Sequence, residues 1–149
     1  WNHDKSLEWE ALSAESHQGL QHYVAELNKV YRAEPALYEN DYEWSGFSWI
    51  NANDSDNSVF SFIRKAKKTD DFLVVICNFT PIIRKEYRIG VPQGGEYREI
   101  MNSDLTMYQG SGVCNSELRT VSEPSYGMEH SLVLTLPPLA TLILKPEQE

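Results

Sequence analysis

Acidic residues are the most numerous side chains in this sequence that could do chemistry. Two carboxyl groups held a short distance apart can break a glycosidic bond, one as nucleophile and one as general acid. The acid must sit in an apolar setting that raises its pKa. The candidates all lie in turns or polar segments: Asp4, Glu8, Glu10, Asp41, Glu43, Asp54 and Asp56. We therefore expect no catalytic residue in this chain.

Metal chemistry is tested by the polar stretch 51–57 and by the histidines. The stretch fails as a calcium loop, because Asp56 stands where the turn glycine is needed and Phe62 where the bidentate glutamate is needed. His17 and His22 are five residues apart on a predicted helix, so they diverge and cannot share a metal as an i, i+4 pair would. We expect neither a metal site nor a cofactor.

Aromatic residues crowd the start of the β region. Phe47 and Trp49 fall on one face if this segment is extended. Two interpretations of Trp49 stay open: it fills the core, as its size favours, or it lies exposed and stacks on a sugar ring beside short polar side chains. The predicted carbohydrate-binding residues are Trp49, Asn51, Asn53 and Asp54, with Tyr108 and Tyr126 as weaker candidates.

The charge of the chain argues against a nucleic-acid partner. The formal net charge is −9, and the one basic cluster, 64–68, is followed at once by Asp70 and Asp71. Phosphate recognition needs clustered Lys and Arg. A neutral polysaccharide is compatible with an acidic surface, since its hydroxyls need hydrogen bonds and aromatic faces.

Apolar runs and cysteines indicate the setting of the protein. No run approaches the ~20 residues of a membrane-spanning helix, so we expect no membrane partner. The first residues lack the pattern of a signal peptide, and Cys77 and Cys114 make a poor disulfide framework. We therefore expect a reducing, cytoplasmic location, and we interpret the glycosylation sequon at Asn78 as a chance match.

One amphipathic helix must lie ahead of the aromatic region. Residues 16–33 carry an apolar stripe at helical spacing, and Pro35 prevents its continuation. The stripe consists of Leu20, Tyr23, Val24, Leu27, Val30 and Tyr31. With no partner helix in the sequence, it must pack on the second half of the chain or on a surface outside it.

From about Trp44 onward the pattern changes to short strands separated by turns. We predict strands at 46–50, 58–64, 71–78, 86–90, 97–101, 131–136 and 139–144, with loops and short edge pieces over 102–129. Residues 92–95 read as a hairpin-type turn, and the last two strands as a closing hairpin about Pro137-Pro138. Strands at this spacing without intervening helices predict an antiparallel sandwich.

A set of short stretches in a fixed order carries a family resemblance. They are Trp1-Asn2-His3-Asp4, Gly46-Phe47-Ser48-Trp49, Asn78-Phe79-Thr80-Pro81, Tyr87-Arg88-Ile89-Gly90-Val91-Pro92, Glu99-Ile100-Met101-Asn102-Ser103-Asp104 and the leucine-rich end 131–144. Together they resemble the carboxy-terminal part of glycogen (1,4-alpha-glucan) branching enzymes, members of the alpha-amylase superfamily. Cys114 and Glu129-His130 depart from the pattern without affecting the resemblance.

The resemblance implies a division of the chain. Residues 1–40 would be the tail of a catalytic (β/α)8 barrel, comprising the loop after its last strand and its final helix. Residues 41–149 would be the C-terminal all-beta domain. The catalytic carboxylates would lie on barrel strands upstream of Trp1, so none maps onto this chain.

The implied parent is a cytoplasmic, retaining glycosyltransferase of glycogen synthesis, which cleaves an alpha-1,4-glucan and rejoins the piece through an alpha-1,6 bond. This chain alone would be inactive. Its partners would be alpha-glucans such as glycogen or amylose, the enzyme's own catalytic barrel, and further copies of the chain through the exposed helix. Two alternatives stay open: a stand-alone carbohydrate-binding sandwich, which the aromatics favour, and a protein-interaction sandwich without a sugar ligand.

Overall fold

The computed structural model describes residues 2–147, in which a 3-10 helix at Trp9–Ser13 precedes the predicted α-helix. Helix α1 (Glu15–Ala33) lies where the apolar spacing predicts it, and a 3-10 turn at Pro35–Leu37 follows. Trp1, at which the family resemblance starts, lies outside the described residues. So do Gln148 and Glu149, the end of the predicted all-beta domain.

Eight strands follow within the described residues, and all the paired strands run antiparallel. They confirm the predicted strands to within a few residues, and the short edge strand at Leu118–Arg119 lies in the segment where short edge pieces are predicted. They are β1 (Phe47–Asp54), β2 (Val59–Lys65), β3 (Phe72–Asn78), β4 (Arg84–Val91), β5 (Glu96–Asn102), β6 (Leu118–Arg119), β7 (His130–Leu136) and β8 (Ala140–Pro146).

The strands form two sheets, which confirms the predicted antiparallel sandwich. The larger sheet has the order β1-β2-β3-β8-β5-β6, and β4 pairs with β7 in the smaller one. One apolar cluster fills the space between the sheets, and a second lies on the outer face of the larger sheet under α1 and Pro35–Leu37. The chain therefore has three layers: helix, six-stranded sheet and two-stranded sheet.

Strand β3 is the central strand that its unbroken apolar run predicts. It pairs with β2 on one side and β8 on the other. Val74 and Ile76 belong to the cluster between the sheets, whereas Leu73 and Val75 belong to the cluster under the helix. Burying each such side chain stabilises the fold by roughly 1.5–3 kcal/mol, so the run needs both covering layers.

The closing hairpin predicted from the leucine-rich end is wrong. Strand β7 pairs with β4 in the small sheet, whereas β8 lies between β3 and β5 in the large one. A tight hairpin needs left-handed backbone at its turn, and proline fixes φ near −65° and donates no hydrogen bond. Residues 137–139 instead turn a corner between the sheets, with the N–H of Leu139 donating to the carbonyl oxygen of Thr80 at 2.8 Å.

Residues 92–95 are also a crossover and not a hairpin turn. They lead from β4 in the small sheet to β5 in the large one. Ile89 and Val91 before the turn and Tyr97 after it all enter the cluster between the sheets. Burial of these side chains therefore brings the two strands face to face across the core, where they cannot pair edge to edge. The hydroxyl of Tyr97 donates to the carbonyl oxygen of Gln93 at 2.9 Å and anchors the turn.

The polar segment after β5 folds mainly as loop, as predicted, and it holds the helix in place. Its 3-10 turn Thr106–Tyr108 brings the Tyr108 ring against Tyr23 of α1, with 5.4 Å between ring centroids. Gly19 of α1 allows this approach, because a Cβ there would lie 3.0 Å from the backbone carbon of Tyr108. Tyr108 therefore packs on the helix, away from the predicted sugar-binding residues.

Candidate functional site

The four predicted carbohydrate-binding residues all lie on strand β1, but the structure places them on opposite faces of the large sheet. Trp49 pairs with Phe62, which faces the helix side, whereas Asn51 pairs with Ser61, and the pairing is irregular between these positions. A bulge inserts one residue and so reverses the alternation of side chains. Trp49 is thus separated from the three polar residues by the thickness of the sheet.

Trp49 lies in an exposed aromatic cluster, which we call the aromatic platform. The centroid of its ring lies 5.0 Å from that of Phe47, 5.9 Å from that of Phe62 and 6.1 Å from that of Phe60. Phe79 extends the row, with 5.4 Å between its ring centroid and that of Phe60. Trp49 is 53% exposed, Phe60 41% and Phe79 59%. The interpretation of Trp49 as a core residue is therefore wrong: the sandwich core contains Ile50 of β1 instead.

The platform is built mainly on the paired strands β1 and β2, and Phe79 follows the last residue of β3. Phe60 and Phe62 point away from the core, since Val59, Ser61 and Ile63 between and beside them point into it. The rings meet mostly edge to face, an arrangement that adds about 0.5–1.5 kcal/mol per pair. Sequence reasoning missed Phe60 and Phe79. The alternation along β2 did indicate that Phe60 leaves the core.

Asn51, Asn53 and Asp54 line an open cleft on the other face, which we call the β1–β4 cleft. Strand β1 extends to Asp54, so the predicted turn 51–57 is shorter and covers only 55–58. The hydroxyl of Tyr87 donates to Asp54 Oδ2 at 2.6 Å, and the Asn57 side-chain amide donates to both carboxylate oxygens at 2.9 and 3.0 Å. These bonds join the end of β1 to β4.

The electrostatics of Asp54 suit a fixed carboxylate and not a proton donor. Burial raises its pKa, but the hydrogen bonds from Tyr87 and Asn57 together outweigh burial, so the pKa lies below its usual value. The pKa of Tyr87 is raised, first by burial and then by the hydrogen bond to Asp54. A general acid needs the opposite shift, so Asp54 does not have the character of a glycosidase acid.

Tyr126 forms one wall of the β1–β4 cleft and is 47% exposed. It sits at φ 50° in a tight turn whose ends, Ser125 and Met128, exchange backbone hydrogen bonds of 3.0 Å. The turn packs against β4 at Gly90, where a Cβ would lie 2.2 Å from the carbonyl oxygen of Ser125. The glycine in Arg88-Ile89-Gly90 is thus what admits the turn that carries Tyr126.

Metal ligands do not converge within residues 2–147, where no group of three His, Cys, Asp or Glu side chains is placed to hold an ion. Asp41 is engaged by the Arg64 guanidinium at 2.7 Å. The side-chain amide of Asn78 is likewise engaged, since it donates to the carbonyl oxygens of Ile82 and Pro137.

In the same described part of the chain, no helix is both long and apolar enough to cross a membrane.

Helix α1 has two adjacent apolar faces, and the sheet covers one of them. Tyr23 and Val30 pack on the cluster under the helix. The adjacent face is exposed: Leu20 (62%), Val24 (48%), Leu27 (36%) and Tyr31 (48%). It continues into an apolar groove of about 590 Å³ that the preceding segment lines with Leu7, Trp9 and Leu12. Part of the predicted stripe thus packs on the second half of the chain, and the rest of it is exposed to solvent.

Relatives of the chain are found in sequence and in structure. Two curated proteins named 1,4-alpha-glucan branching enzyme GlgB match nearly all of it. That of Aromatoleum aromaticum is 50% identical over 148 residues, covering 99% of this chain and 23% of the relative. That of Cereibacter sphaeroides is 52% identical over 147 residues, covering 98% and 20%. The chain thus spans about a fifth to a quarter of these relatives.

The fold has its own match among solved structures. The crystal structure of an alpha-amylase from H. orenii superimposes with a TM-score of 0.52 at 20% identity, over 86% of this chain and 20% of that one. The family model described as "Alpha amylase, C-terminal all-beta domain" matches residues 49–147, from Trp49 in β1 to the end of β8. The resemblance seen in the sequence is confirmed, and the chain belongs to the family of alpha amylase C-terminal all-beta domains.

Proposed function

We propose that this chain is the carboxy-terminal part of a 1,4-alpha-glucan branching enzyme. The relatives that carry this name match it end to end at about half identity. The parent would cut an alpha-1,4-glucan with retention, through a carboxylate nucleophile and a second carboxyl that acts as acid and then as base. It would transfer the piece to a hydroxyl that becomes an alpha-1,6 branch point.

The catalytic carboxylates would lie outside this chain, at the carboxyl ends of barrel strands, where such enzymes place them. The lowered pKa of Asp54 supports a structural role for this carboxylate. The reading frame that encodes this sequence should accordingly specify a (β/α)8 barrel ahead of it. A frame without such a barrel would favour the stand-alone sandwich.

The purified chain is expected to neither branch nor hydrolyse glucan. Its candidate carboxylates lie in turns or polar segments, a setting that does not raise the pKa of a general acid. Iodine staining of amylose incubated with the chain measures this directly, because cleavage and branching both change the colour of the complex. Turnover that disappears when one of the chain's own carboxylates is mutated would overturn the assignment.

The exposed face of α1 is proposed to contact the catalytic barrel. Leu20, Val24, Leu27 and Tyr31 form an apolar strip larger than scattered surface residues would make, and such strips mark interaction sites. As the final barrel helix, α1 would hold the sandwich to the barrel with this face while Tyr23 and Val30 hold it to the sheet. In the isolated chain, the same face is proposed to promote self-association.

The aromatic platform is proposed to bind alpha-glucan at a distance from the active site. Three half-exposed rings in one row, Trp49, Phe60 and Phe79, offer flat apolar surfaces to sugar rings. Asn51, Asn53 and Asp54 stay proposed as residues that bind sugar hydroxyls, on the opposite face of β1. Contacts of this kind are weak singly and gain through multivalency, because one long chain touches several sites.

Replacing Trp49 by alanine should weaken retention on insoluble amylose while leaving the fold intact. The exposed ring loses only its edge contacts, so we expect the free energy of unfolding to fall by about 1–2 kcal/mol, less than the ~3–5 kcal/mol of a buried tryptophan. Trp9→Ala is the matched control, because Trp9 is also exposed but lies in the helix groove. Equal retention of both variants on amylose would show that the platform does not bind glucan.

A cytoplasmic location is also proposed. It is supported by the state of the two cysteines in the described residues: Cys77 and Cys114 are both free thiols, and Cys114 is exposed. Exposed free thiols suit a compartment in which glutathione and thioredoxin keep cysteines reduced.

A further inference from the structure

The β1–β4 cleft lies on the face of β1 opposite the aromatic platform and has a volume of about 760 Å³. Ligand clefts typically measure about 300–1,000 Å³. Its lining is rich in amide and phenol groups: Asn51, Asn53, Asn57, Tyr87 and Tyr126. Amides both donate and accept hydrogen bonds, as sugar hydroxyls do, so this lining suits a polyol.

Some of the side chains that line the cleft are held by hydrogen bonds, and others are exposed to solvent. The Asp54 carboxylate accepts bonds from Tyr87 and Asn57 on both oxygens, and its role is to fix these two side chains. Asn53 is exposed, and the ring of Tyr126 is half-exposed on its tight turn. A preorganised wall with an aromatic ring and an amide at its mouth can bind a ligand at a low cost in ordering.

The charges around the cleft favour a neutral ligand. Three basic residues line it, Arg84, Lys85 and Arg88, against Asp54 and Glu86. Arg88 is also paired with Glu123 at 2.9 Å, which makes three positive and three negative charges. An anion such as a phosphate ester needs an excess of positive charge, and this cleft does not offer one.

Two further observations concentrate on the cleft. Glu86 and Tyr126, both in its lining, adopt left-handed backbone at φ 52° and 50°. Strain of this kind in non-glycine residues clusters at ligand sites. Arg84 also lines the cleft, and its guanidinium donates to the carbonyl oxygen of Asn57 at 2.9 Å, which holds two residues of the lining together.

We propose that the β1–β4 cleft is a second alpha-glucan subsite, which binds a neutral oligosaccharide independently of the aromatic platform. Tyr126 stacks on a sugar ring, Asn53 bonds its hydroxyls, and Asp54 and Tyr87 position the wall. The choice of glucan as the ligand rests on the proposed function. Because β1 is the edge strand of the large sheet, a single long glucan can pass around this edge and contact both faces.

Titration of the chain with maltoheptaose, followed by NMR of backbone and asparagine side-chain amides, tests the subsite. Tyr126→Asn removes the ring and keeps the backbone, since asparagine tolerates positive φ. Asn53→Ala removes one exposed amide. Each change should weaken binding about 3–10-fold as reported by the cleft amides, the equivalent of one hydrogen bond or ring contact. The platform amides should report unchanged binding.

Two controls make the outcomes distinct. Tyr42→Asn, at a fully exposed tyrosine outside the cleft lining, should change nothing, and Trp49→Ala should weaken only the platform response. Cleft amides that stay still while platform amides move would overturn the subsite and leave the proposed function standing. If neither the cleft amides nor the platform amides shift with maltoheptaose, the cleft subsite and the proposed glucan binding by the platform both fail. Cleft amides that respond to inorganic phosphate and not to maltoheptaose would make it an anion site and overturn the proposal.

Discussion

Replacing Lys145 by methionine is expected to lower the free energy of unfolding by about 2–4 kcal/mol. The Lys145 ammonium group binds the Glu34 carboxylate and lies 3.7 Å from Asp71 Oδ1. The side chains of Glu34 and Asp71 are only 9% and 19% exposed. Removing the cation leaves two carboxylates of like charge in a poorly hydrated place, which costs more than the ion pair itself contributes.

This ion cluster joins the helix to the sheet. Glu34 follows the last residue of α1, Asp71 precedes β3, and Lys145 lies on β8. Loss of Lys145 should therefore loosen the C-terminal end of α1 first, and amide hydrogen exchange of its last turn should accelerate. The proposed barrel-facing surface depends on this attachment, because the same helix carries it.

Lys29→Met is the matched control for Lys145→Met. Lys29 also pairs with a glutamate, Glu26, but its side chain is 71% exposed, and solvent screens such surface pairs so that they contribute little to stability. Chemical denaturation measures both variants. The double change Lys145→Met with Glu34→Gln should recover part of the loss, since one buried charge disappears. Equal small losses for the two lysines would show that the cluster adds nothing.

Replacing Asp104 by alanine is expected to destabilise the chain by about 2–4 kcal/mol. Its carboxylate is 6% exposed and accepts the Ser111 N–H (2.9 Å), the Ser111 hydroxyl (2.6 Å) and the Val113 N–H (3.0 Å). Hydrogen bonds to a charged group contribute about 1.5–3 kcal/mol each and do not add fully. Alanine leaves these donors without their acceptor.

The change should also weaken the attachment of helix α1, because the same loop carries Tyr108, whose ring packs against Tyr23. Thermal unfolding gives the stability, and hydrogen exchange near Gly19 reports the contact. Asp56→Ala serves as control, since Asp56 is an exposed turn residue whose loss should stay within about 0.5 kcal/mol. A loop that keeps its protection without the Asp104 carboxylate would contradict this account.

Much of the fold follows from local patterns. The helical spacing of Leu20 to Tyr31 places α1, the unbroken apolar run places β3 at the centre, and the alternation along β2 sends Val59, Ser61 and Ile63 inward. These predictions succeed because the periods of helix and strand are properties of the backbone, and burial of one face needs only that the residues recur at that period.

The candidate site was predicted only in part. The sequence pointed to Trp49, Asn51, Asn53 and Asp54 as one group, and the structure divides them between a platform and a cleft. The division comes from an irregularity of strand pairing after Trp49, which depends on the partner strand. Tyr87 and Phe79 reach the two surfaces from distant positions, and no local pattern marks them.

By itself, the sequence determined the family, through short stretches in a fixed order. It also determined the positions of the helix and of most strands, because the periods of helix and strand are properties of the backbone. Only the tertiary structure decided that β7 and β8 enter different sheets, that α1 keeps a second apolar face exposed, and that Trp49 leaves the core. The physical reason is that strand partners and covered faces are chosen by contacts between residues far apart in the chain. The energy of those contacts appears only when the whole core is packed.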